Sequence, residues 1–198
     1  MFDFFSLHKN PPTDGLRVAV LLSGELRTVN YCLPKLFKTF SGPHETHFFL
    51  STWDQSRPAD RTGSKNIFVE NKYDFNTSPK SFIDNRRAEF CGTTVEPYGS
   101  VTAEHMRIAN EISAKIPQKI KDKAYPYATS PHAIMVTLNQ WYLMKKGYEI
   151  IQDFHKKQKI DIIVRARPDI ILRKPMVWPN SNEIVSDCLR LSRRRKHF

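Results

Sequence analysis

At Arg17-Val18-Ala19-Val20-Leu21-Leu22 the chain presents a near-continuous run of aliphatic residues that ends at Ser23-Gly24. The length of this run and its branched side chains are typical of a strand that is buried on both faces, as in a parallel sheet. Similar runs at residues 47–52 and 160–164 predict two further strands. We expect these three strands to be neighbours in the sheet and to run parallel to one another.

The clearest helical pattern begins at Ser130-Pro131. Serine caps the first turn of a helix well, and proline is tolerated in that turn. Apolar residues then recur at spacings of three and four, which predicts an amphipathic helix within residues 130–154 and places Trp141 on its core face. Weaker patterns predict helices over residues 33–40 and 102–123, the latter interrupted at Pro117, and a strand at residues 93–95.

The alternation of strands and helices predicts an α/β domain with a mostly parallel sheet flanked by helices. Residues 17–187 are expected to form this domain, after a loose leader at residues 1–16 and before a basic tail at residues 188–198. A polar, turn-rich stretch at residues 55–79 predicts a long surface loop, with a short strand at residues 67–69.

The composition excludes several classes of protein. The chain has 198 residues, of which 40% are hydrophobic, as expected for one globular domain. No apolar run approaches the roughly 20 residues that cross a bilayer, and the N-terminus has no signal-peptide pattern. The 3 cysteines are scattered and lack a CxxC pair, which argues against a disulfide scaffold or a zinc finger. We therefore expect a soluble, cytoplasmic protein.

The net charge of +11 favours anionic partners such as phosphates, sugar nucleotides or nucleic acid. Five of the basic residues lie within residues 190–198, so the excess is uneven along the chain. Nucleic acid is the less favoured partner, because the aromatic residues recur at core spacings and no nucleic-acid-binding motif is present. Deletion of residues 190–198 would separate the two alternatives, since only nucleic-acid binding depends on this tail.

Polar clusters follow the three buried strands. In a parallel sheet, the carboxyl ends of the strands share one edge, and ligands bind beyond that edge. The clusters should therefore meet at one cleft, although they are far apart in sequence. Their residues are Ser23, Gly24 and Arg27 after the first strand, Thr52 and Trp53 after the second, and Arg165, Arg167 and Asp169 after the third.

These residue types suit an anionic ligand. Gly24 lets the backbone approach a ligand closely, and arginines bind phosphate with two parallel hydrogen bonds. Residues two apart in an extended segment share a side, so Arg165, Arg167 and Asp169 are expected to face one cleft. The Asp169 carboxylate is suited to a hard divalent cation beside a diphosphate. The alternative is an internal Arg–Asp ion pair at the end of the strand.

Four stretches resemble a group of glycosyltransferase-like proteins that occur in polysaccharide gene clusters and in large DNA viruses. They are the opening strand with its Ser-Gly and arginine at residues 17–28, Thr52-Trp53, Gln140-Trp141-Tyr142 near the start of a helix, and Asp-Ile-Ile-Val-Arg-Ala-Arg-Pro-Asp at residues 161–169. The last stretch is the most specific of the four.

The resemblance implies a GT-A-like fold that binds a nucleotide-diphospho-sugar and transfers the sugar to a hydroxyl of a glycan acceptor. It implies that Asp169 binds Mn²⁺ or Mg²⁺ in place of an Asp-x-Asp motif, although Arg167 occupies the position of the other aspartate. The residues implied at the nucleotide are Ser23, Gly24, Arg27, Trp53, Arg165 and Arg167.

The catalytic base is not identified by the resemblance. Only 29 residues follow Asp169, where GT-A enzymes usually place further acceptor-binding elements. A truncated, non-catalytic module that binds nucleotide sugars is therefore the alternative to an active transferase.

Overall fold

The computed structural model describes residues 15–26, 29–40, 44–55, 78–124 and 128–170. Within these ranges, four strands form one all-parallel sheet in the order β3-β2-β1-β4. The predicted parallel arrangement of the first, second and last strands is confirmed, since β1 pairs with both β2 and β4. The strands are β1 (Arg17–Ser23), β2 (Glu45–Trp53), β3 (Gly92–Glu96) and β4 (Ile162–Ala166).

Helices flank the sheet, as the sequence predicts. The helix predicted over residues 102–123 is found as two helices separated at Pro117, and the weak strand prediction at residues 93–95 corresponds to β3. The helices are α1 (Val29–Phe40), α2 (Pro79–Arg86), α3 (Tyr98–Lys115), α4 (Gln118–Lys121) and α5 (Pro131–His155). In the described parts of the chain, none of them is long and apolar enough to cross a membrane.

Several predicted segments lie outside the described residues. These are the short strand at residues 67–69 with most of the predicted loop around it, nearly all of the leader, and the basic tail.

Alternate residues of β1 support two cores on opposite faces of the sheet. Val18, Val20 and Leu22 pack with α1 and α2 in the larger core. Ala19 and Leu21 face the other way, into a smaller core with residues of β2 and α5. All five side chains are at most 3% exposed, which explains why β1 reads as an unbroken aliphatic run.

The serine-capped helix is confirmed as α5, because the Ser130 hydroxyl accepts a hydrogen bond from the backbone N–H of Ala133. The prediction that Trp141 faces the core is wrong, because this side chain is 63% exposed, whereas Ile151 of the predicted row is buried. The fully buried row consists of residues spaced by four, namely Met135, Asn139, Leu143, Gly147 and Ile151.

Close packing against the sheet explains why this row of α5 residues is the buried one. A Cβ at Gly147 would overlap the side chain of Leu21, so glycine allows the helix to approach β1 closely. The hydroxyl of Ser51, on β2, also donates a 2.8 Å hydrogen bond to the backbone carbonyl of Leu143. These contacts hold α5 against the carboxyl half of the sheet, beside the ends of β1 and β2.

Candidate functional site

A cleft of about 140 Å³ opens at the carboxyl ends of the parallel strands. Strands β2 and β3 are added on one side of β1, whereas β4 pairs with its other side, so the order in which the chain adds strands switches between β1 and β4. Open α/β sheets bind ligands at such switch points. The cleft lies there, between the ends of these two strands and the first half of α5. Its lining residues are Ser23, Gly24, Glu25, Trp53, Val136, Asn139, Gln140, Leu143, Arg165 and Arg167.

Gly24 forms the turn at the floor of the cleft. Its φ of +146° is a conformation that residues with a side chain rarely adopt. Its N–H donates to the carbonyl of Ser51 at 3.1 Å, and its carbonyl accepts a 2.8 Å hydrogen bond from the Thr52 hydroxyl. A Cβ at this position would lie 3.3 Å from Cδ of Pro168. The turn thus joins the ends of β1, β2 and β4.

Arg165 places a positive charge on one wall of the cleft. Its Nε donates a 2.9 Å hydrogen bond to the hydroxyl of Ser23, which is 1% exposed. Among the described residues, no carboxylate lies within ion-pairing distance of Arg165. Burial lowers the pKa of the Arg165 guanidinium, and the positive charge of Arg167 lowers it further. An anion in the cleft would relieve this repulsion.

Arg167 lines the same cleft but is neutralised by Asp169. Its Nε and Nη2 donate to the two oxygens of the Asp169 carboxylate at 2.9 and 2.8 Å. The Asp169 side chain is 9% exposed and that of Arg167 is 47% exposed. This carboxylate raises the pKa of Arg167, and the charge of Glu25 contributes to the same shift. The ion pair that the sequence left as an alternative is therefore present.

Aromatic packing forms the Trp53 wall of the cleft. The indole, 3% exposed, stacks on Tyr142 with the ring centroids 5.9 Å apart and the planes 7° apart. The ring of Tyr98 packs against the indole in an edge-to-face arrangement, with the centroids 5.5 Å apart. Tyr142 in turn donates a 2.8 Å hydrogen bond to Glu96. Burial raises the pKa of Tyr142 and this hydrogen bond raises it further, so the phenol stays protonated.

Asn139 is a buried polar residue that the sequence analysis did not single out. Its amide nitrogen donates to the Thr102 hydroxyl at 3.1 Å, and its oxygen lies 2.6 Å from Nδ1 of His105. Both partners belong to α3, so this side chain ties α3 to the helix that forms one wall of the cleft. Neighbouring Gln140 is exposed and lines the opening.

The structure brings most of the predicted site residues together. Ser23, Gly24, Trp53, Arg165 and Arg167 line one cleft, as the sequence predicts for the carboxyl edge. Arg27 lies outside the described residues.

Two features differ from the sequence analysis. Gln140 was expected near a helix start but lies in the middle of α5, because this helix begins at Pro131. Glu25 lines the cleft and is not among the residues that the sequence predicts at the site. Its position directly after Gly24 was the signal that could have identified it.

The Asp169 carboxylate, predicted to bind a metal ion, is engaged by Arg167 in the structure. Asp169 is absent from the cleft lining, and both of its oxygens accept hydrogen bonds from Arg167. Across the parts of the chain that the structure covers, no three His, Cys, Asp or Glu side chains group in a way that would hold a metal ion. The role of Asp169 as a ligand of Mn²⁺ or Mg²⁺ stays a prediction.

No protein-family model matches this chain, and no curated protein or solved structure is significantly similar to it. The assignment of a function therefore depends on the residues of the cleft and on the sequence stretches that surround it.

Proposed function

We propose that this chain is a glycosyltransferase of GT-A-like fold that binds the diphosphate of a nucleotide-sugar donor in the cleft beside Arg165. The observation that carries the proposal is the guanidinium of Arg165, which has no ion-pairing carboxylate among the described residues and is held by Ser23 at the switch point of a parallel sheet. Arginine is the side chain best suited to bidentate phosphate binding. The resemblance of residues 17–28 and 161–169 to glycosyltransferase-like proteins supports the same ligand class.

The size of the cleft suits the anionic part of such a donor. Its volume of about 140 Å³ is smaller than that of pockets that enclose a whole drug-sized ligand, roughly 300–1,000 Å³. The diphosphate would lie against Arg165 and the turn at Gly24, with the nucleoside and the sugar extending outside the cleft. Glycine at this turn allows the backbone to approach phosphate oxygens closely.

The reaction would depend on electrostatic stabilisation of the leaving group. The bond between the anomeric carbon and the diphosphate oxygen breaks, and the acceptor hydroxyl oxygen forms a bond to that carbon and gives its proton to the departing diphosphate or to solvent. Negative charge accumulates on the departing diphosphate. Arg165, fixed in advance by Ser23, is placed to stabilise that charge without rearrangement.

Titration calorimetry with a panel of UDP-, GDP- and ADP-sugars and with inorganic pyrophosphate tests the proposal. We expect the wild-type protein to bind at least one nucleotide sugar, and Arg165→Gln to weaken that binding about 10- to 100-fold, because hydrogen bonds to charged groups contribute about 1.5–3 kcal/mol. Arg86→Gln is the matched control. It removes the same charge from α2, on the opposite face of the sheet.

Three results would be decisive. If the wild-type protein binds no member of the panel, the proposal is wrong. If Arg165→Gln and Arg86→Gln lower the affinity equally, binding reflects overall charge and not the cleft. Specific binding without sugar transfer to any glycan acceptor would indicate a non-catalytic nucleotide-sugar-binding module.

A further inference from the structure

The first turns of α5 extend beyond the carboxyl edge of the sheet. Leu143 of α5 is hydrogen-bonded to Ser51 near the end of β2, and Gly147, one turn later, packs against β1. The residues of α5 that precede Leu143 therefore lie past the ends of these strands.

Helix α3 packs along this projecting part of α5. The amide of Asn139 donates to the hydroxyl of Thr102 in the first half of α3. In the last turn of α3, the Ser113 hydroxyl donates a 2.8 Å hydrogen bond to the carbonyl of Thr129, just before α5. Consequently α3 leads away from the sheet, and its end forms a corner with α4 on the same side of the sheet as the cleft. We call residues 112–123 the corner.

Exposed apolar and basic side chains are mixed in the corner. Ile112 and Ile120 are 41% and 53% exposed, although isoleucine is among the residue types most often buried. The acidic residue of the corner is Asp122, which accepts a hydrogen bond from Gln118. The basic residues are four lysines, namely Lys115, Lys119, Lys121 and Lys123.

The lysines of the corner are free to meet an anionic partner. Within the described parts of the chain, none of the four forms an ion pair. On the preceding turns of α3, the carboxylates of Glu104 and Glu111 are both paired with Arg107.

This mixture of side chains fits the surface of a lipid bilayer. Lysines are attracted to anionic headgroups, and a cluster of four or more is typical of segments that bind acidic lipids. Apolar side chains beside such a cluster enter the boundary between the headgroups and the acyl chains. A nucleic acid would neutralise the lysines through its phosphates, but its backbone offers no apolar layer to the two isoleucines.

We propose that the corner binds the surface of a membrane that contains anionic lipids, with its lysines at the headgroups and Ile112 and Ile120 at the acyl boundary. None of these residues lines the cleft, so membrane binding stands apart from the proposed function. Because the corner and the cleft lie on the same side of the sheet, such binding would hold the cleft near the membrane surface.

Co-sedimentation with phosphatidylcholine vesicles, made with and without phosphatidylglycerol, tests the proposal. We expect the wild-type protein to bind the vesicles that contain phosphatidylglycerol, and to bind them less at high salt because salt screens the attraction. The double variant Lys119→Gln/Lys123→Gln should lower the partition coefficient about 10- to 30-fold, or about fivefold for each lysine. Ile120→Ser should lower it about fivefold or more, because serine buries no apolar area.

Two matched controls lie away from the corner. Lys156→Gln/Lys157→Gln removes the same charge from exposed positions that follow α5, at the amino edge of the sheet. Ile163→Ser removes an isoleucine that is 43% exposed on β4. Both variants should bind vesicles nearly as well as wild type. All variants keep the basic residues 190–198, so this stretch contributes equally to each measurement.

The outcomes that would overturn the inference are distinct. One is a wild-type protein that binds neither kind of vesicle, or that binds both equally. Another is an equal loss in the two double-lysine variants, which would show that net charge alone causes binding. A third is wild-type binding by Ile120→Ser together with an oligonucleotide affinity that falls in Lys119→Gln/Lys123→Gln, which would assign the corner to a polyanion.

Ile112→Ser covers the case in which loss of Ile120 unfolds the short helix α4. Ile112 lies in the longer helix α3, and its exposed side chain leaves the packing against α5 intact when it is replaced. We expect the same loss of vesicle binding, with an unchanged circular dichroism spectrum. Wild-type binding by folded Ile112→Ser and Ile120→Ser proteins would contradict the membrane contact.

Discussion

Substitution of Gly24 by alanine tests whether the floor of the cleft depends on a conformation that only glycine adopts readily. At φ +146°, a residue with a side chain is strained by about 1–3 kcal/mol. The new Cβ would also lie 3.3 Å from Cδ of Pro168, which is closer than an ordinary van der Waals contact. Alanine lowers the entropy of the unfolded chain, which returns about 0.4–1 kcal/mol.

The balance is a net destabilisation of about 1–2 kcal/mol, which for a chain of this size lowers the Tm by about 2–8 °C. Pro168 lies between Arg167 and Asp169 in sequence, so its displacement should also weaken pyrophosphate binding. Differential scanning calorimetry and titration calorimetry measure the two effects.

Gly99→Ala is the matched control. Gly99 is the second residue of α3, it lacks the unusual φ of Gly24, and a Cβ there would meet no atom within 4 Å. We expect this variant to be more stable than wild type by about 0.4–1 kcal/mol, because alanine favours the helix. The two substitutions should therefore shift the Tm in opposite directions. A Gly24→Ala protein that unfolds at or above the wild-type Tm would refute the reasoning.

Two further predictions concern charged groups. Asp169→Asn should lower stability by about 1–2 kcal/mol in chemical denaturation, because the half-exposed Arg167 loses a charge-assisted partner. If Asp169 serves only this ion pair, the effect of Mn²⁺ on donor binding is unchanged in the variant. Loss of a Mn²⁺ effect in folded Asp169→Asn protein would instead establish the metal role. Burial raises the pKa of the Cys91 thiol, and the Glu45 carboxylate raises it further. In a variant without the other cysteines, alkylation of Cys91 by iodoacetamide should therefore reach its half-maximal rate at a higher pH than alkylation of a free cysteine peptide. Glu45→Gln should move that midpoint down in pH; an unchanged midpoint would contradict the electrostatic cause.

The sequence by itself determined the strands and the capped helix. Buried parallel strands are apolar on both faces, so β1 and much of β2 could be identified as strands from composition alone. Ser130-Pro131 likewise marked the start of α5, since capping is a local property of adjacent residues. Parallel pairing then placed Ser23, Trp53 and Arg165 at one edge, because all carboxyl ends share it.

Only the tertiary structure decided which face of α5 is buried and what each charged residue of the cleft contacts. This helix packs against the sheet and against α3, so its partly buried residues cover a wide arc and periodicity does not select one row. Gly147 lies in the buried row because β1 packs closely against it. Asn139 lies there because His105 and Thr102 of α3 are its hydrogen-bond partners. Arg167 pairs with Asp169, and Arg165 donates to Ser23. These contacts depend on side-chain geometry at the strand ends, because the composition there does not show whether a charged side chain contacts a bound ligand or a neighbouring residue.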